Sequence, residues 1–296
     1  MFVGSLVAIV TPMRADGALD FEAWARLLDF HAANGTAGVV VGGTTGESAT
    51  LTEAELRELA ARACAQLRGR AAVIAGAGTS STAATVARVG WLAQLPIDGL
   101  LVVTPAYNRP TQEGLYQHFA ACAAAATKPL LLYNVPSRTA VDMQPATVAR
   151  LSRLPGIVGL KEAVPQLERI GQLLTQCAPG FTLLSGDDAT AREAIAAGAH
   201  GVISVTANVV PRRMSEMVAA ARAGARQGAA QLDAALAGLH RELFVEANPI
   251  PVKWLLGQMG LIGPGVRLPL TPLAPAYHAQ VRAAGRAAGL SMSEGA

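Results

Sequence analysis

Short apolar runs alternate with longer amphipathic stretches eight times along the chain, up to about residue 208. Continuous runs rich in Val, Ile and Leu are typical of parallel strands that are covered on both faces. The predicted strands are Leu6–Val10, Gly38–Val41, Ala72–Ala75, Gly99–Val103, Leu130–Tyr133, Val158–Lys161, Thr182–Ser185 and Gly201–Ser204. The helices predicted between them cover residues 20–34, 52–68, 81–94, 112–126, 145–153, 165–177 and 188–197. Eight strand–helix repeats predict an α/β fold of the (β/α)8 TIM-barrel type.

A doubly wound open sheet is the alternative fold, but it usually has fewer strands and a Gly-rich turn after the first one. Here the first strand ends in Thr11-Pro12, and no GxGxxG pattern follows it. Beyond residue 208 the pattern is helical only, with helices predicted over residues 211–223, 227–244, 250–259 and 272–288. We therefore expect a catalytic barrel over residues 1–224, followed by a C-terminal helical extension over residues 225–296.

The composition excludes several classes of protein. With 51% hydrophobic and 15% charged residues, a chain of 296 residues buries a large core, which excludes a disordered protein. No apolar stretch approaches the roughly 20 residues that a membrane span needs, and the N-terminus lacks the basic region of a signal peptide. We therefore expect a cytoplasmic protein without a membrane partner. The net charge of +3 rests on scattered arginines and aromatic residues make up 4%, so nucleic acid is not an expected partner either.

The spacing of potential metal ligands predicts no metal site. Cys64, Cys122 and Cys177 lie far apart in Ala-rich stretches, whereas zinc sites and disulfide frameworks need tight or paired spacing. We expect these cysteines to be small buried residues on helices. Asp187 and Asp188 follow the seventh strand, but no third ligand accompanies them. One of these two aspartates is therefore expected to cap the next helix.

The sixth predicted strand ends on a lysine, in a chain that has only three lysines. Alternation along the strand predicts that Gly159 and Lys161 face the barrel interior, with Val158 and Leu160 on the other side. A lysine that is partly removed from water has a lowered pKa and supplies the neutral amine that attacks a carbonyl. A lysine whose charged end reaches solvent at a strand end is the structural alternative. The scarcity of lysine favours a Schiff-base nucleophile. The other lysines, Lys128 and Lys253, are expected to be structural.

Polar residues also follow other strands, at the end of the barrel where catalytic residues collect. The second strand runs into a Gly-rich turn in which Thr44 and Thr45 offer hydroxyl groups to a small anion, although a purely structural turn looks similar. Tyr107 follows the fourth strand and Tyr133 ends the fifth, each beside Asn and Pro. Their position favours a functional role over that of aromatic residues capping the core.

Seven of these segments form a recognisable set: AIVTPM at 8–13, GTTGESATL at 43–51, TPAYNRP at 104–110, YNVPSRT at 133–139, GLKEA at 159–163, LLSGDD at 183–188 and GVISVTAN at 201–208. Together they resemble the dihydrodipicolinate synthase family, within the pyruvate-dependent class I aldolase superfamily. The resemblance covers the chain from Met1 to about Leu290. The GTTGE segment alone would mark only the superfamily, whereas the combination is specific.

The resemblance implies a role for each candidate residue. Lys161 would form a Schiff base with pyruvate, and Tyr133 would relay protons to and from the pyruvate carbonyl. Thr44 would link Tyr133 to Tyr107, which a neighbouring subunit would supply. The implied substrate-binding residues are Thr45, with Thr44, for the pyruvate carboxylate, Arg138 for the carboxylate of aspartate semialdehyde, and Gly186 and the Ile203 carbonyl in the pocket wall.

The implied reaction condenses pyruvate with L-aspartate 4-semialdehyde to give 4-hydroxy-tetrahydrodipicolinate, the first committed step of the diaminopimelate/lysine pathway. The protonated imine serves as the electron sink, so the resemblance implies neither a metal nor an organic cofactor. A Tyr107 shared across a tight dimer implies an oligomer, which by the habit of the family is a homotetramer built as a dimer of dimers.

Two other functions stay open at this point. Sialic acid lyase and the 2-keto-3-deoxy sugar acid aldolases share the lysine and tyrosine chemistry, but they accept long polyhydroxylated aldehydes. Arg138 favours a short, carboxylated acceptor, because a guanidinium binds a carboxylate in a bidentate manner. A non-catalytic paralogue kept for binding or regulation would be expected to have lost Lys161, Tyr133 or Thr44, and all three are present.

The sequence departs from the family at the lysine feedback site. Lysine-regulated relatives carry His at position 53, His or Glu at 56, Asn at 80, Glu at 84 and Tyr at 106. The corresponding residues of this chain are Glu53, Leu56, Ser80, Ala84 and Ala106. An apolar side chain offers the amine of lysine no hydrogen bond, and an alanine removes a countercharge. We therefore expect weak or absent inhibition by lysine.

Overall fold

In the computed structural model, which describes residues 2–292, eight parallel strands close into a barrel in the order of the sequence. The strands are β1 Gly4–Ala8, β2 Gly38–Val41, β3 Ala72–Gly76, β4 Gly99–Val103, β5 Leu130–Asn134, β6 Ile157–Glu162, β7 Thr182–Ser185 and β8 Gly201–Ser204. This confirms the predicted (β/α)8 barrel. The first strand begins before the predicted Leu6, while the other strands lie within a residue of their predicted bounds.

Helices surround the barrel and continue beyond it. They are α1 Phe21–Ala33, α2 Glu53–Leu67, α3 Thr82–Leu92, α4 Gln112–Ala125, α5 Pro136–Thr139, α6 Pro145–Leu151, α7 Leu167–Gln176, α8 Ala191–Ala196, α9 Pro211–Arg222, α10 Arg226–Ala234, α11 Ala237–Glu242, α12 Ile250–Gln258 and α13 Pro275–Ala287. The prediction of a single helix over residues 227–244 is wrong, because the helix is interrupted between α10 and α11. Because of this interruption, α10 contacts α8 and α9, while α11 contacts α13.

Side chains alternate between two apolar layers along most of the strands. One layer lies between the sheet and the helices, and the other fills the barrel. The second layer, called the inner cluster below, includes Leu6, Ala8, Val40, Ile74, Leu101, Leu131, Tyr133, Leu184 and Ile203. This alternation is what an apolar strand buried on both faces requires.

Strand β6 departs from this alternation at one residue. The pairing with β5 passes from Ile157 to Gly159 and leaves Val158 as an extra residue, which is a β-bulge. Val158 therefore packs on the inner cluster, whereas Leu160 packs on the outer layer. The prediction that these two side chains share a face is wrong for this reason. Beyond the bulge alternation resumes, and Lys161 faces the barrel interior as predicted.

The C-terminal helices follow α9, and the turn after α9 falls at the predicted boundary near residue 225. That residues 1–224 and 225–296 are separate domains stays a prediction. Within residues 2–292 no helix combines the length and apolarity that crossing a membrane requires. Cys64 and Cys122 are buried on α2 and α4 as predicted, and Cys177 is half-buried just after α7.

Candidate active site

A cavity of about 600 Å³ opens at the carboxyl ends of the strands. Its floor is formed by the inner cluster, through Ala8, Val40 and Leu101. The structure brings most of the predicted site residues together in its walls, namely Thr44, Thr45, Tyr133, Arg138, Lys161 and Gly186. The candidate site thus occupies the end of the barrel at which side chains from many strands converge.

Lys161 lies on β6 directly beside Tyr133 on β5, and its Nζ is 4.3 Å from the centre of the tyrosine ring. The lysine side chain is nearly enclosed, since the residue is only 5% exposed. The pKa of Lys161 is lowered to about 8, chiefly by burial; the charge of Asp188 opposes the shift and the positive charge of Arg138 contributes to it. A substantial fraction of neutral amine is therefore present near neutral pH, which a nucleophilic lysine needs.

The glycine before this lysine is required by the packing of the strand. A Cβ atom added at Gly159 would lie 2.8 Å from a methyl group of Leu131 and would collide with the carbonyl oxygen of Thr182. Any side chain at this position would force β6 away from its neighbours. Gly159 thus allows β6 to approach β5 and β7 closely, two residues before Lys161.

Tyr133 is held in the protonated form. Burial raises the pKa of Tyr133 to about 12, and the opposing effects of Arg138 and of a hydrogen bond with Thr44 are smaller. A phenol that keeps its proton at neutral pH can donate it to a reacting oxygen and take it back afterwards. Its position beside Lys161 suits such a role.

The turn that carries Thr44 and Thr45 is supported from beneath by a buried ion pair. Glu47 has a left-handed backbone with φ of 56°, and its carboxylate pairs with the Lys253 ammonium on α12. The second carboxylate oxygen of Glu47 accepts the backbone N–H of Arg267 at 3.1 Å. Lys253 therefore belongs to the support of the turn and not to the cavity wall.

A second buried network lies behind the ends of β5 and β6. The Arg169 guanidinium donates to Glu162 at 2.8 Å and to both oxygens of Asp142, while the Asn134 amide donates to both carboxylates. Burial raises the pKa of Glu162, and the charge of Arg169 opposes the shift. Because Asn134 and Glu162 directly follow Tyr133 and Lys161, this network fixes the strand ends that carry the two reactive side chains.

Two predicted site residues lie outside the cavity wall. The side chain of Tyr107 points away from the chain and is 94% exposed, on a loop in which its own φ is 72°. Ile203 is buried in the inner cluster, and the cavity wall does not include it. The assigned roles of these two residues stay predictions.

The expectation that Asp187 or Asp188 caps the next helix is wrong. The N-cap of α8 is Thr190, whose side chain makes no capping hydrogen bond. Asp187 instead accepts the backbone N–H of Thr190 at 3.0 Å. Asp188 accepts the backbone N–H groups of Val205 and Thr206, both at 2.8 Å. Asp188 thereby joins the turn after β7 to the end of β8.

Sequence reasoning missed one wall of the cavity. The segment from Phe244 to Asn248, between α11 and α12, contributes every one of its residues to the lining. Asn248 donates from Nδ2 to the Thr45 hydroxyl oxygen at 2.9 Å, and its backbone carbonyl accepts from the Arg138 guanidinium at 3.4 Å. The only local signal is a polar residue before Pro249 in an apolar stretch, which does not indicate a site by itself.

A buried lysine of lowered pKa beside a protonated tyrosine, at the carboxyl end of a closed parallel barrel, is the arrangement of lyases that work through an imine. The family model described as the dihydrodipicolinate synthetase family matches residues 1–288. The chain belongs to this family and is a lyase.

Curated relatives and solved structures agree with this assignment. The 4-hydroxy-tetrahydrodipicolinate synthase of Methylococcus capsulatus is 52% identical over 290 residues, 98% of this chain and 100% of the relative. The chloride-inhibited dihydrodipicolinate synthase from Acinetobacter baumannii, solved with pyruvate, has a TM-score of 0.97 and 45% identity, covering 98% of this chain and 100% of that chain. A structure described as the first monomeric dihydrodipicolinate synthase variant has a TM-score of 0.96 and 40% identity, covering 98% of both chains.

Proposed function

We propose that this enzyme condenses pyruvate with L-aspartate 4-semialdehyde to give 4-hydroxy-tetrahydrodipicolinate, the first committed step of the diaminopimelate/lysine pathway. The observation that carries the proposal is the buried Lys161 amine, whose pKa is lowered to about 8, in one cavity with Tyr133, Thr45 and Arg138. Relatives that are named for this reaction are 52% and 51% identical to the chain.

The cavity supports a reaction through an imine. The neutral Nζ of Lys161 attacks the carbonyl carbon of pyruvate, and the carbonyl oxygen leaves as water after it receives protons by way of Tyr133. Thr44 and Thr45 hold the pyruvate carboxylate. The protonated imine acidifies the methyl group, and loss of a proton gives an enamine. No step of this scheme calls for a metal or an organic cofactor.

The second substrate completes the turnover. The enamine carbon attacks the aldehyde carbon, and the aldehyde oxygen takes a proton to become a hydroxyl group. The amine of the semialdehyde then attacks the imine carbon and displaces Lys161, which closes the ring and frees the enzyme. Gly186 lines the proposed substrate pocket, and the part proposed for Ile203, whose side chain is buried outside the cavity wall, is limited to its backbone carbonyl. The acceptor carboxylate is held by Arg138, which lies on α5 in the cavity wall. Within residues 2–292 its guanidinium makes a single hydrogen bond, to the backbone carbonyl of Asn248 at 3.4 Å.

The choice of acceptor is tested by comparing two aldehydes in separate assays. Pyruvate consumption is measured with L-aspartate 4-semialdehyde and, separately, with a long polyhydroxylated aldehyde such as N-acetyl-D-mannosamine. We expect consumption with the semialdehyde only, since Arg138 offers a positive charge to a carboxylated acceptor. Turnover with the sugar aldehyde alone would support a sugar acid aldolase, and turnover with neither would support a non-catalytic protein.

We further propose that Tyr107 acts in the site of a second copy of the chain, within a homotetramer. Its loop is held in shape by two hydrogen bonds, from Asn108 to the Ser80 carbonyl at 2.9 Å and from Arg109 to the Ala140 carbonyl at 3.2 Å. Tyrosine is one of the residues that are enriched at protein interfaces. A similar structure is described as monomeric, so membership of the family does not give the oligomeric state. The expected cytoplasmic location stays a prediction.

Lysine in the millimolar range should lower the initial rate by less than half. Leu56 is buried beside Gly42 and presents only methyl groups, and Ala84 carries no charge for an ammonium group to pair with. The initial rate is measured with saturating pyruvate, with and without lysine. Inhibition by more than half would contradict the prediction.

The rate of imine formation should rise with pH and then level off. Burial disfavours the ammonium form of Lys161, so its pKa falls from 10.5 to about 8 and the neutral amine accumulates as the pH approaches that value. We expect the rate with excess pyruvate to rise about tenfold per pH unit below about 8 and to be flat above about 9. Rapid quenching with borohydride measures it. A rate that still rises tenfold per unit above pH 9 would indicate an unshifted lysine.

A further inference from the structure

We infer that Asn248 is a positioning residue that sets the direction of the hydrogen bond at Thr45, so that the proton of the Thr45 hydroxyl is kept for the carboxylate of the keto acid. This inference rests on the proposed function, in which Thr45 binds pyruvate. It gives a role in the chemistry to a residue of the C-terminal helical region.

The direction of the bond follows from the orientation of the Asn248 amide, whose Nδ2 faces Thr45 while its buried Oδ1 has no hydrogen-bond partner within residues 2–292. The Nδ2 of Asn248 donates to the Thr45 oxygen at 2.9 Å, and both residues are buried in the cavity wall. A hydroxyl group has one proton and can accept through its lone pairs, whereas an amide NH2 group only donates. Because Thr45 accepts from Asn248, its own proton is free. Among residues 2–292 this hydroxyl has no other hydrogen-bond partner.

The position of Asn248 suits this role, because it contacts both proposed carboxylate-binding residues. Its side chain contacts Thr45, and its backbone carbonyl accepts a hydrogen bond from Arg138 at 3.4 Å. The residue stands just before α12, and Lys253 of the same helix pairs with Glu47 in the turn that carries Thr45. Helix α12 and the segment that leads into it thus hold this turn at two points, and Asn248 is the point that faces the cavity.

Substitution by aspartate tests the direction of the bond directly. Aspartate has the shape of asparagine, but an ionised carboxylate can only accept, so Thr45 would have to donate to it and its proton would be lost to the substrate. We expect Asn248→Asp to raise the pyruvate concentration that half-saturates borohydride trapping by about tenfold or more, the range for a lost hydrogen bond to a charged group. Asn248→Ala leaves the Thr45 proton free, so we expect an increase of about threefold or less.

A double-mutant cycle with Thr45→Val separates the effect through Thr45 from plain charge repulsion and from any damage to the fold. Asn248→Asp raises the half-saturating concentration by some factor in the wild type and by another in the Thr45→Val background. We expect the factor in the Thr45→Val background to be smaller by about fivefold or more. If Asn248→Asp does not fold, Asn248→Ala enters the same cycle, and its effect should disappear in that background.

The outcomes distinguish this inference from the proposed function. Equal factors in the two backgrounds, or a half-saturating concentration for Asn248→Asp within twofold of the wild type, would overturn the role of Asn248 while leaving the imine mechanism in place. Absence of trapping in the wild-type enzyme would overturn both. Thermal unfolding of each folded variant checks that the comparison is made between intact proteins.

Discussion

Replacing Lys161 by methionine should lower kcat by at least about 10³-fold, because a thioether cannot form an imine and the whole reaction passes through that bond. Methionine has a similar length and suits a buried site, so the barrel should remain folded. The matched control is Lys128→Met, which removes a half-buried lysine beyond the end of α4 and should change kcat by less than about twofold.

The measurement is the steady-state rate with both substrates, together with thermal unfolding of each variant. A Lys161→Met enzyme that keeps more than a tenth of the wild-type rate would contradict the assignment of the nucleophile. An equal loss in Lys128→Met would show that the assay reports general damage and not the loss of one amine.

Replacing Lys253 by methionine should lower the free energy of unfolding by about 3–5 kcal/mol. The two side chains of the Glu47–Lys253 pair are 0% and 3% exposed, so removal of the ammonium leaves a carboxylate in the interior without its countercharge. Arg62→Met is the control, since it breaks a pair with Glu58 in which the side chains are 50% and 48% exposed. Such exposed pairs contribute about 0–1 kcal/mol.

Urea-induced unfolding of the two variants measures the difference. A double variant, Glu47→Gln with Lys253→Met, should recover part of the lost stability, because it removes the buried charge together with its partner. If Lys253→Met costs no more than Arg62→Met, the ion pair is not what holds the turn beneath Thr44 and Thr45.

The barrel could be predicted because its signal is local. Each strand is a short apolar run, and in each helix between strands the apolar residues recur with the period of a helix. The position of Lys161 at the end of β6 therefore also follows from the sequence. The bulge at Val158 could not be predicted this way, because it depends on how β6 pairs with β5. The break between α10 and α11 likewise reflects the different helices against which the two segments pack.

The site residues that lie at strand ends could be predicted from the sequence. Those that come from a segment far away in the sequence could not. Thr44, Thr45 and Tyr133 come directly after or within strands, and the rule for barrel enzymes assigns them to the site. Asn248 comes from a connection between C-terminal helices, 203 residues away from its partner Thr45. The fold alone brings these two residues together. The bonds that Asp188 makes to the end of β8 also depend on tertiary structure.

Intact-mass spectrometry after borohydride reduction in the presence of pyruvate tests the central claim most directly. The wild type and Lys128→Met should each gain about 72 Da, the mass of pyruvate less water plus two hydrogens, while Lys161→Met should gain nothing. Peptide mapping should locate the adduct on Lys161 among the three lysines of the chain. No adduct on the wild type, or an adduct that persists in Lys161→Met, would contradict the imine mechanism at this residue.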